Sequence, residues 1–173
     1  MRVVHTAELT DGERSEIRAL LDRAFGGGFG DEDWEHSLGG LHVLVEVDGA
    51  IVGHAALVQR RLLHRARALR AGYVEAVAAE PRGQGHGAGA MAEVERIVRA
   101  AYDLGALSAS EAAYGFYEAR GWIPWQGPTA VLAPDGLTRT PDDDDSTFVL
   151  PVGSTDLDPT GLLACDWRDG DVW

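Results

Sequence analysis

The sequence contains no lysine, so all 15 basic residues among its 173 positions are arginines. Without a lysine amine the chain can form no Schiff base with a carbonyl substrate or pyridoxal phosphate, and it cannot supply the lysine of a nucleotide-binding P-loop. A single cysteine, Cys165, excludes an internal disulfide. Because no strand-to-helix nucleophile turn surrounds Cys165, we interpret its thiol as a small apolar group packed in the core.

The sequence also lacks a long apolar run and is poor in positive charge. No segment has the length of a signal-peptide core or a membrane span, so a cytoplasmic protein is expected. Asp and Glu number 28 against 15 basic residues, and the formal charge of −13 disfavours nucleic acid and anionic membranes as partners and favours cationic ones. A diffuse acidic surface is also a common solubility device. The histidines show no ligand spacing, so no metal site is predicted.

The length fits one domain covering residues 1–173. Thr10 and Glu13 have the spacing of a capping box, which predicts the start of a first helix. Its apolar stripe lies at Ile17, Leu20, Leu21, Ala24 and Phe25. A short helical piece is expected over 32–38. Strand-like runs on either side of Asp48-Gly49 predict a hairpin, because this dipeptide favours a tight turn.

The second half of the chain continues the mixture of strands and helices. We predict a strand at ALRAGYVEAVAA, a helix at AGAMAEVERIVRAAYDLGA that Gly105 ends, a short strand near 106–109, and a helix over 110–120 with Gly121 as its cap. Two late strands flank the acidic loop PDDDDS, and an irregular tail is expected after residue 153. This order of elements indicates an α+β fold in which helices pack on the faces of a mixed sheet.

A glycine-rich turn, RGQGHG at residues 82–87, follows a strand and precedes a helix. Backbone N–H groups and the positive end of the helix converge on an anion in such a turn. A P-loop is excluded, because Gly-Lys-Ser/Thr is missing. Gly83, Gly85 and Ala88 satisfy the weak dinucleotide pattern G-x-G-x-x-A, although no second βαβ half follows. A plain flexible loop is the third interpretation. The fourth is the pattern R-x-x-G-x-G, which Arg82 to Gly87 satisfy.

The last of these patterns resembles the pyrophosphate-binding motif of the GNAT superfamily of N-acetyltransferases. GYVEAVAA, RGQGHG, LGALSAS, FYEARGWIPWQGPTAVLAP, TRTPDDD, FVLP and CDWRDGDVW follow one another as they do in the aminoglycoside 2′-N-acetyltransferases of mycobacteria, and DEDWEHSLGGLH and VQRRL match upstream. The resemblance implies a GNAT fold, with a central mixed, mostly antiparallel sheet flanked by helices. It also implies acetyl-CoA as cosubstrate, an aminoglycoside as acceptor and a homodimer as the assembly.

The reaction needs a base for the substrate ammonium and an acid for the departing thiolate. Glu75 is a carboxylate in an otherwise apolar strand, and the resemblance implies that it is the base, acting through water; a solvent-facing glutamate is the alternative. Tyr117 would be a core aromatic on spacing alone, whereas the resemblance implies that it protonates the sulfur. Tyr114 is the less favoured acid. A backbone N–H near Val77 could stabilise the charge on the acetyl oxygen.

The resemblance also implies the binding residues. For acetyl-CoA these are Val77, Ala79, Arg82, Gly83, Gln84, Gly85, His86 and Gly87. For the aminoglycoside they are Asp33, Glu75, Ala76, Ser108, Asp143, Asp171 and Trp173, the last through its terminal carboxylate. Alternatively, the acidic loop around Asp143 and the acidic tail that contains Asp171 are simply exposed to solvent. Of the acidic loop residues, only Asp143 is assigned to the substrate.

One departure from the mycobacterial pattern affects the substrate loop. Gly28 stands where that pattern has an acidic residue, and Asp31 lies close enough in sequence to replace its ammonium contact. The resemblance therefore predicts an aminoglycoside 2′-N-acetyltransferase, and this departure leaves its preference among drugs open. Two alternatives remain. One is an enzyme of the same fold that acetylates a cell-wall sugar or a protein N-terminus, and the other is a noncatalytic module that binds CoA or the drug.

Overall fold

A computed structural model describes residues 1–173 of the chain, which has an α+β architecture. The strands are β1 Arg2–His5, β2 Leu41–Val47, β3 Ala50–His64, β4 Arg67–Ala79, β5 Leu104–Ser108, β6 Ile123–Pro124, β7 Thr129–Ala133, β8 Gly136–Arg139, β9 Thr147–Pro151 and β10 Leu163–Asp166. The helices are α1 Asp11–Ala24, α2 Asp31–His36, α3 His86–Ala101 and α4 Tyr114–Glu118. Short 3₁₀ helices cover Thr6–Glu8, Glu111–Ala113 and Pro141–Asp143.

The chain forms two compact units. The first comprises Met1–Val58 and Val74–Ile97, and the second comprises Gln59–Tyr73 and Val98–Trp173. None of the helices is both long enough and apolar enough to cross a lipid bilayer.

In the first unit, α1 begins as its capping signal predicts. Thr10 Oγ1 accepts a hydrogen bond from the backbone N–H of Glu13 at 3.2 Å, and Glu13 Oε2 accepts one from the N–H of Thr10 at 2.8 Å. These two bonds satisfy donors that a helix start otherwise leaves unpaired. The buried stripe of α1 packs into one apolar cluster, whose members include Ile17, Leu20, Leu21, Leu44 and Ala78.

The strands of the first unit follow the order β1-β2-β3-β4. The predicted hairpin is confirmed: Val47 pairs with Ala50, and the turn residues Asp48 and Gly49 have φ values of 52° and 85°. Both central residues of the turn are therefore left-handed, as a two-residue hairpin loop requires. A bulge between Val45 and Glu46 shifts the register of β2 against β3.

The strands of the second unit follow the order β6-β9-β5-β4-β3-β10-β7-β8. The β4–β5 and β10–β7 pairs are parallel, whereas β10–β3, β5–β9, β6–β9 and β7–β8 are antiparallel. The mixed, mostly antiparallel sheet is thus confirmed. Large aromatic side chains fill the core of this unit, and Trp122, Trp125 and Phe148 are all buried.

Three expectations about elements were wrong. Gly105 does not end a helix, because α3 ends at Ala101 and Gly105 lies in β5, where a Cβ would come within 2.8 Å of the Trp122 ring. The tail after residue 153 is not wholly irregular, since it contains β10. The helix over 110–120 is divided into a 3₁₀ turn and α4, although Gly121 does follow it in the left-handed conformation, with φ 88°. The strand β1 is not among the strands predicted from the sequence.

Candidate active site

In the first unit, the candidate base lies beside an unusual backbone conformation. Glu75, Ala76 and Val77 are half-buried residues of β4, and Ala76 has a φ of 51°. A residue with a Cβ rarely adopts this left-handed conformation within a strand, because it costs free energy and breaks the alternation of side chains. The carbonyl oxygen of Ala76 accepts a hydrogen bond from His54 Nδ1 at 2.8 Å. The regular alternation of side chains along β4 is therefore interrupted between Glu75 and Val77.

The end of β4 carries Val77 and Ala79, two of the residues predicted to bind acetyl-CoA. The register of β4 with β5 runs from Ala71 to Tyr73, and β4 continues to Ala79. The backbone N–H of Glu80 donates to Val52 of β3 at 2.9 Å. Because successive N–H groups of a strand point to opposite edges, the N–H of Ala79 points away from β3. This edge can pair with an extended ligand backbone.

The glycine turn opens α3 with the geometry of an anion site. Gly83 and Gly85 both have a φ of 81°, which favours glycine at these two positions. The first helical hydrogen bond of α3 runs from the N–H of Gly89 to the carbonyl of Gly85 at 2.8 Å. The N–H groups of His86, Gly87 and the next residue precede that bond and have no carbonyl partner within the helix. Residues 82–85, including Gln84, are exposed.

The turn is fastened to the end of α1. Arg82 Nη2 donates to the carbonyl of Ala24 at 3.2 Å, and Arg23 forms an ion pair with Glu80 at 2.8 Å. The guanidinium of Arg82 therefore contacts a helix carbonyl, while the side chain remains exposed. It can reach a phosphate by exchanging this single neutral contact for a charged one.

In the second unit, the candidate acid Tyr117 is buried in α4. Its ring lies 5.2 Å from that of Phe116 and 6.2 Å from those of Trp122 and Phe148, measured between centroids. Burial raises the pKa of the Tyr117 phenol to about 12. The hydroxyl of Tyr114 donates instead to the carbonyl of Asp145 at 2.8 Å.

A second group of predicted residues lies around the chain end. Burial, followed by the nearby charges of Asp171 and Asp142, raises the pKa of Asp143 to about 6. Trp173 is buried, its indole N–H donates to Thr140 Oγ1 at 3.0 Å, and its backbone N–H donates to Asp171 Oδ1 at 3.2 Å. These contacts place Asp143, Asp171 and Trp173 together.

Asp144, the next acidic residue of the loop, makes a different set of contacts. Asp144 accepts hydrogen bonds from the N–H and hydroxyl of Thr129 at 2.7 and 2.9 Å, and it pairs with Arg139 at 2.7 Å. Its carboxylate therefore stabilises the loop itself.

The remaining predicted substrate residues have local partners. Asp33 Oδ2 accepts from the backbone N–H of Gly30 at 2.7 Å and so caps the first turn of α2. Asp31, considered as a replacement for the acidic residue missing at Gly28, pairs with Arg18 at 3.0 Å. Ser108, at the end of β5, donates to Ser146 Oγ at 3.0 Å. Ser146 Oγ in turn donates to the carbonyl of Asp143 at 3.3 Å, so one residue links Ser108 to Asp143.

The sequence did not reveal Arg60, a buried arginine that holds the chain end in place. Its guanidinium donates to Asp166 Oδ1, to the carbonyl of Asp166 and to the carbonyl of Val172 at 2.8, 2.7 and 2.7 Å. Its carbon Cζ lies 4.7 Å from the centroid of the Tyr73 ring. Cys165, buried as predicted, donates its thiol to the same Val172 carbonyl at 3.2 Å.

Two buried histidines of the first unit also escaped the sequence analysis. His42 and His54 are fully buried and hydrogen-bonded to each other at 2.9 Å. Burial and the nearby His54 lower the pKa of His42 to about 3. Burial also lowers the pKa of His54 to about 4. Both imidazoles are therefore neutral at neutral pH.

This pair predicts a loss of stability in mild acid. An unfolded histidine takes up a proton near its ordinary pKa of about 6.5, whereas the folded pair does not. The stabilisation is complete above that value and falls by about 1.4 kcal/mol per pH unit for each histidine as the pH drops toward the folded pKa values. Urea unfolding of the protein against pH, beside the same series for His54→Asn, measures this contribution. Asp143, with its raised pKa, acts in the opposite direction in both proteins.

A steeper loss of stability in the unsubstituted protein than in His54→Asn is the expected result. Equal slopes would contradict the buried, neutral state of His54.

Comparison with known proteins agrees with the fold and extends the sequence resemblance. A family profile described as an acetyltransferase (GNAT) domain matches residues 5–124. An aminoglycoside 2′-N-acetyltransferase from Mycolicibacterium fortuitum is 56% identical over 177 residues, which cover 99% of this chain and 91% of that protein.

Solved structures show the same fold at low sequence identity. A GNAT family acetyltransferase from Brucella melitensis in complex with acetyl-CoA gives a TM-score of 0.63 at 17% identity, over 97% of this chain and 96% of that one. A GNAT family N-acetyltransferase from Escherichia coli in complex with CoA gives 0.62 at 19% identity, over 94% and 87%. The profile match and the whole-length identity confirm the resemblance found in the motifs, and the chain belongs to the GNAT family of acetyltransferases.

Proposed function

We propose that this acetyltransferase transfers the acetyl group of acetyl-CoA directly to the 2′-amine of an aminoglycoside in a ternary complex, and so confers resistance to the drug. The observation that carries the proposal is the 56% identity with the M. fortuitum aminoglycoside 2′-N-acetyltransferase across 99% of the chain. Identity of this extent covers the strand of Glu75, the glycine turn and the acidic chain end together.

The first unit offers contacts that fit acetyl-CoA. The pyrophosphate would lie at the N-terminus of α3, against the turn Gly83–Gly87 and the exposed Arg82, and the pantetheine arm would lie along the backbone edge at Val77 and Ala79. The left-handed glycines, and the N–H groups of the first helical turn that have no partner within the helix, support this assignment. When bound, acetyl-CoA supplies the thioester that the acceptor amine attacks.

The roles proposed for the protein residues follow from the proton balance of the reaction. Glu75 accepts a proton from the substrate ammonium through a water molecule, so that the amine nitrogen can bond to the acetyl carbon. The backbone N–H of Val77 donates to the acetyl oxygen as negative charge develops there. Tyr117 donates to the sulfur as the carbon–sulfur bond breaks. Nitrogen thus loses two protons, one to Glu75 before the attack and a second when the tetrahedral intermediate collapses to the amide. One proton is gained at sulfur and one is released to solvent.

The acidic chain end supports a cationic acceptor. Asp171 and Asp142 repel charge on Asp143, and a bound ammonium group would relieve this repulsion. We assign Asp143, Asp171 and the buried Trp173 to the aminoglycoside. Asp33, Ser108, Glu75 and the backbone of Ala76 complete the proposed substrate contacts. Asp33 and Ser108 would need to share or exchange their present hydrogen bonds.

The decisive experiment compares two aminoglycosides that differ only in a 2′-amine or a 2′-hydroxyl. With acetyl-CoA, we expect thiol release with the amine and none with the hydroxyl, and mass spectrometry of the product should locate one acetyl group at the 2′ position. Equal rates with both drugs would contradict the site of transfer. Turnover with a cell-wall amino sugar or a peptide N-terminus in place of the drug would favour the second enzymatic interpretation, and binding without turnover would favour the noncatalytic one.

Arg60 provides a further test of the chain end. Lysine cannot reproduce the forked contacts of the guanidinium, so Arg60→Lys should loosen the segment that carries Asp171 and Trp173. We expect the KM of the aminoglycoside to rise about tenfold, equal to ~1.4 kcal/mol, while the KM of acetyl-CoA stays constant. Arg61→Lys, at the exposed neighbouring position, is the matched control. A parallel rise in both KM values would contradict this role.

We further propose that residues 1–173 act as a single domain in the cytoplasm and that the protein forms a homodimer. The support for a dimer is β8, which ends the strand order of the second unit and has four exposed residues. An exposed edge strand can pair with a second copy of the chain. Leu132 and Leu137 on β7 and β8 are also exposed.

A further inference from the structure

A row of hydrogen bonds inside the first unit ends at the carbonyl of Ala76. His54 Nδ1 lies 2.8 Å from that oxygen, and His54 Nε2 lies 2.9 Å from His42 Nδ1. His42 Nε2 lies 2.8 Å from Thr6 Oγ1, which accepts from the backbone N–H of Gly39 at 2.9 Å. Both imidazoles are fully buried. The first 3₁₀ helix, the segment before β2, β2 and β3 are linked through this row to one peptide group of β4.

The direction of every bond in the row follows from its last acceptor. A carbonyl oxygen only accepts, so Nδ1 of His54 carries the proton. Burial keeps the imidazole neutral, so its Nε2 accepts from Nδ1–H of His42. By the same rule Nε2 of His42 accepts, and the hydroxyl of Thr6 donates to it in preference to the carbonyl of Gly40 at 3.2 Å. Because a carbonyl oxygen passes no proton onward, the row can orient groups but cannot conduct protons.

The oriented group is the peptide that joins Ala76 to Val77. In a planar trans peptide the C=O and the following N–H point in opposite directions. The hydrogen bond from His54 to the Ala76 oxygen therefore also sets the direction of the Val77 N–H. Donation to the carbonyl polarises the peptide as well, which strengthens its N–H as a donor. The left-handed φ of 51° at Ala76 is the conformation that this contact holds.

We propose that His54, oriented by His42 and Thr6, is a positioning residue for acetyl transfer: it fixes the Ala76–Val77 peptide so that the Val77 N–H is presented to the acetyl oxygen. The inference rests on the proposed function, in which that N–H stabilises the developing charge. It adds a role for three side chains that have no place in the sequence-based site. The buried pair thus serves catalysis through the backbone, without contact with the substrates.

Two substitutions separate this role from packing. His54→Leu fills the space and removes the donor to Ala76, whereas the amide nitrogen of His54→Asn lies near the former Nδ1 and can still donate. We expect kcat to fall about 10²-fold in the leucine variant, the size of a lost oxyanion donor. The asparagine variant should stay within about threefold of the unsubstituted enzyme if donation to the carbonyl is what matters. The KM of acetyl-CoA should change little in both.

A stability control and a readout without turnover complete the experiment. Leu20→Ala removes a buried side chain from α1, which contributes no residue to the row, and should lower stability while leaving kcat per folded molecule unchanged. The Val77 amide, followed by ¹⁵N–¹H NMR, should shift downfield when acetyl-CoA is added to the unsubstituted and His54→Asn proteins. In His54→Leu, acetyl-CoA should produce no such downfield shift of the Val77 amide.

The inference is overturned by an unchanged kcat in His54→Leu, by no rescue in His54→Asn, or by a Val77 amide response that all three proteins share. Glu75→Gln in the same assay distinguishes the proposed function, in which Glu75 is the base, from the positioning role of His54. Normal turnover of Glu75→Gln would remove the proposed base and leave the role of His54 intact. If no aminoglycoside is acetylated, the NMR comparison with acetyl-CoA still decides whether His54 presents the Val77 N–H.

Discussion

Glu75→Gln is expected to lower kcat by about 10² to 10³-fold and to leave the KM of acetyl-CoA within about twofold. The amide keeps the size and hydrogen-bonding capacity of the side chain but cannot accept the proton of the substrate ammonium. Only the protonated amine would then remain at the site, and it has no lone pair with which to attack the thioester. Steady-state thiol release with acetyl-CoA and a drug bearing a 2′-amine gives kcat and both KM values.

The same variant should recover part of its rate as the pH rises, because more of the amine then arrives already deprotonated. Glu93→Gln is the charge-matched control: this half-buried glutamate of α3 pairs with Arg96 at 2.7 Å and has no proposed role. It should retain full activity. A Glu75→Gln enzyme with normal kcat at neutral pH would place the base at another residue.

Sequence signals that act over a few residues predicted their elements well. Thr10 caps α1, Asp48-Gly49 forms the hairpin turn and Gly121 adopts the left-handed conformation after α4, because each conformation depends on a neighbour within four residues. The glycine turn before α3 belongs to the same class. Its left-handed Gly83 and Gly85 follow from the motif itself.

Features that depend on distant parts of the chain could not be predicted. The strand β10, LACD, has no local strand signal, and it is a strand because it pairs with β3 and β7. Arg60 meets Asp166 at a separation of 106 residues, so no local pattern announces the contact. Gly105 was misread because a glycine that ends a helix and one that admits a tryptophan ring look alike in sequence.

The histidine pair lies between these two cases. The predicted turn at Asp48-Gly49 sets the pairs Val47–Ala50 and Glu46–Ile51 of β2 and β3. Beyond the bulge, the register is shifted by one residue and pairs His42 with Ala56 and Leu44 with His54. His42 and His54 are thus diagonal neighbours on one face of the hairpin. The register that the turn sets would have placed the two imidazoles on opposite faces of the hairpin. The one-residue shift at the bulge brings them to the same face, and the contact with Ala76 depends on β4 as well.

Tyr117→Phe is expected to lower kcat by about 10 to 10²-fold, less than the loss at Glu75. A phenol with a pKa of about 12 holds its proton more tightly than a thiol, whose ordinary pKa is about 8.5. Complete transfer to the departing sulfur is therefore uphill. The hydroxyl acts chiefly by donating a hydrogen bond as the carbon–sulfur bond breaks, and solvent can finish the protonation. The buried ring keeps its aromatic contacts in the variant, so stability should change little.

This order of effects separates Tyr117 from its neighbour on α4. Tyr114→Phe removes a hydroxyl that donates to the carbonyl of Asp145 at 2.8 Å, and it should retain kcat within about threefold, since it loses only a loop contact. A larger loss in Tyr114→Phe than in Tyr117→Phe would transfer the acid role to Tyr114. Because the Tyr117 phenol stays protonated through mildly alkaline pH, the rate profile of Tyr117→Phe should keep the shape of the unsubstituted enzyme at a lower height. A new alkaline limb, or the loss of one, would contradict a pKa near 12 and restore full proton transfer as the role of this residue.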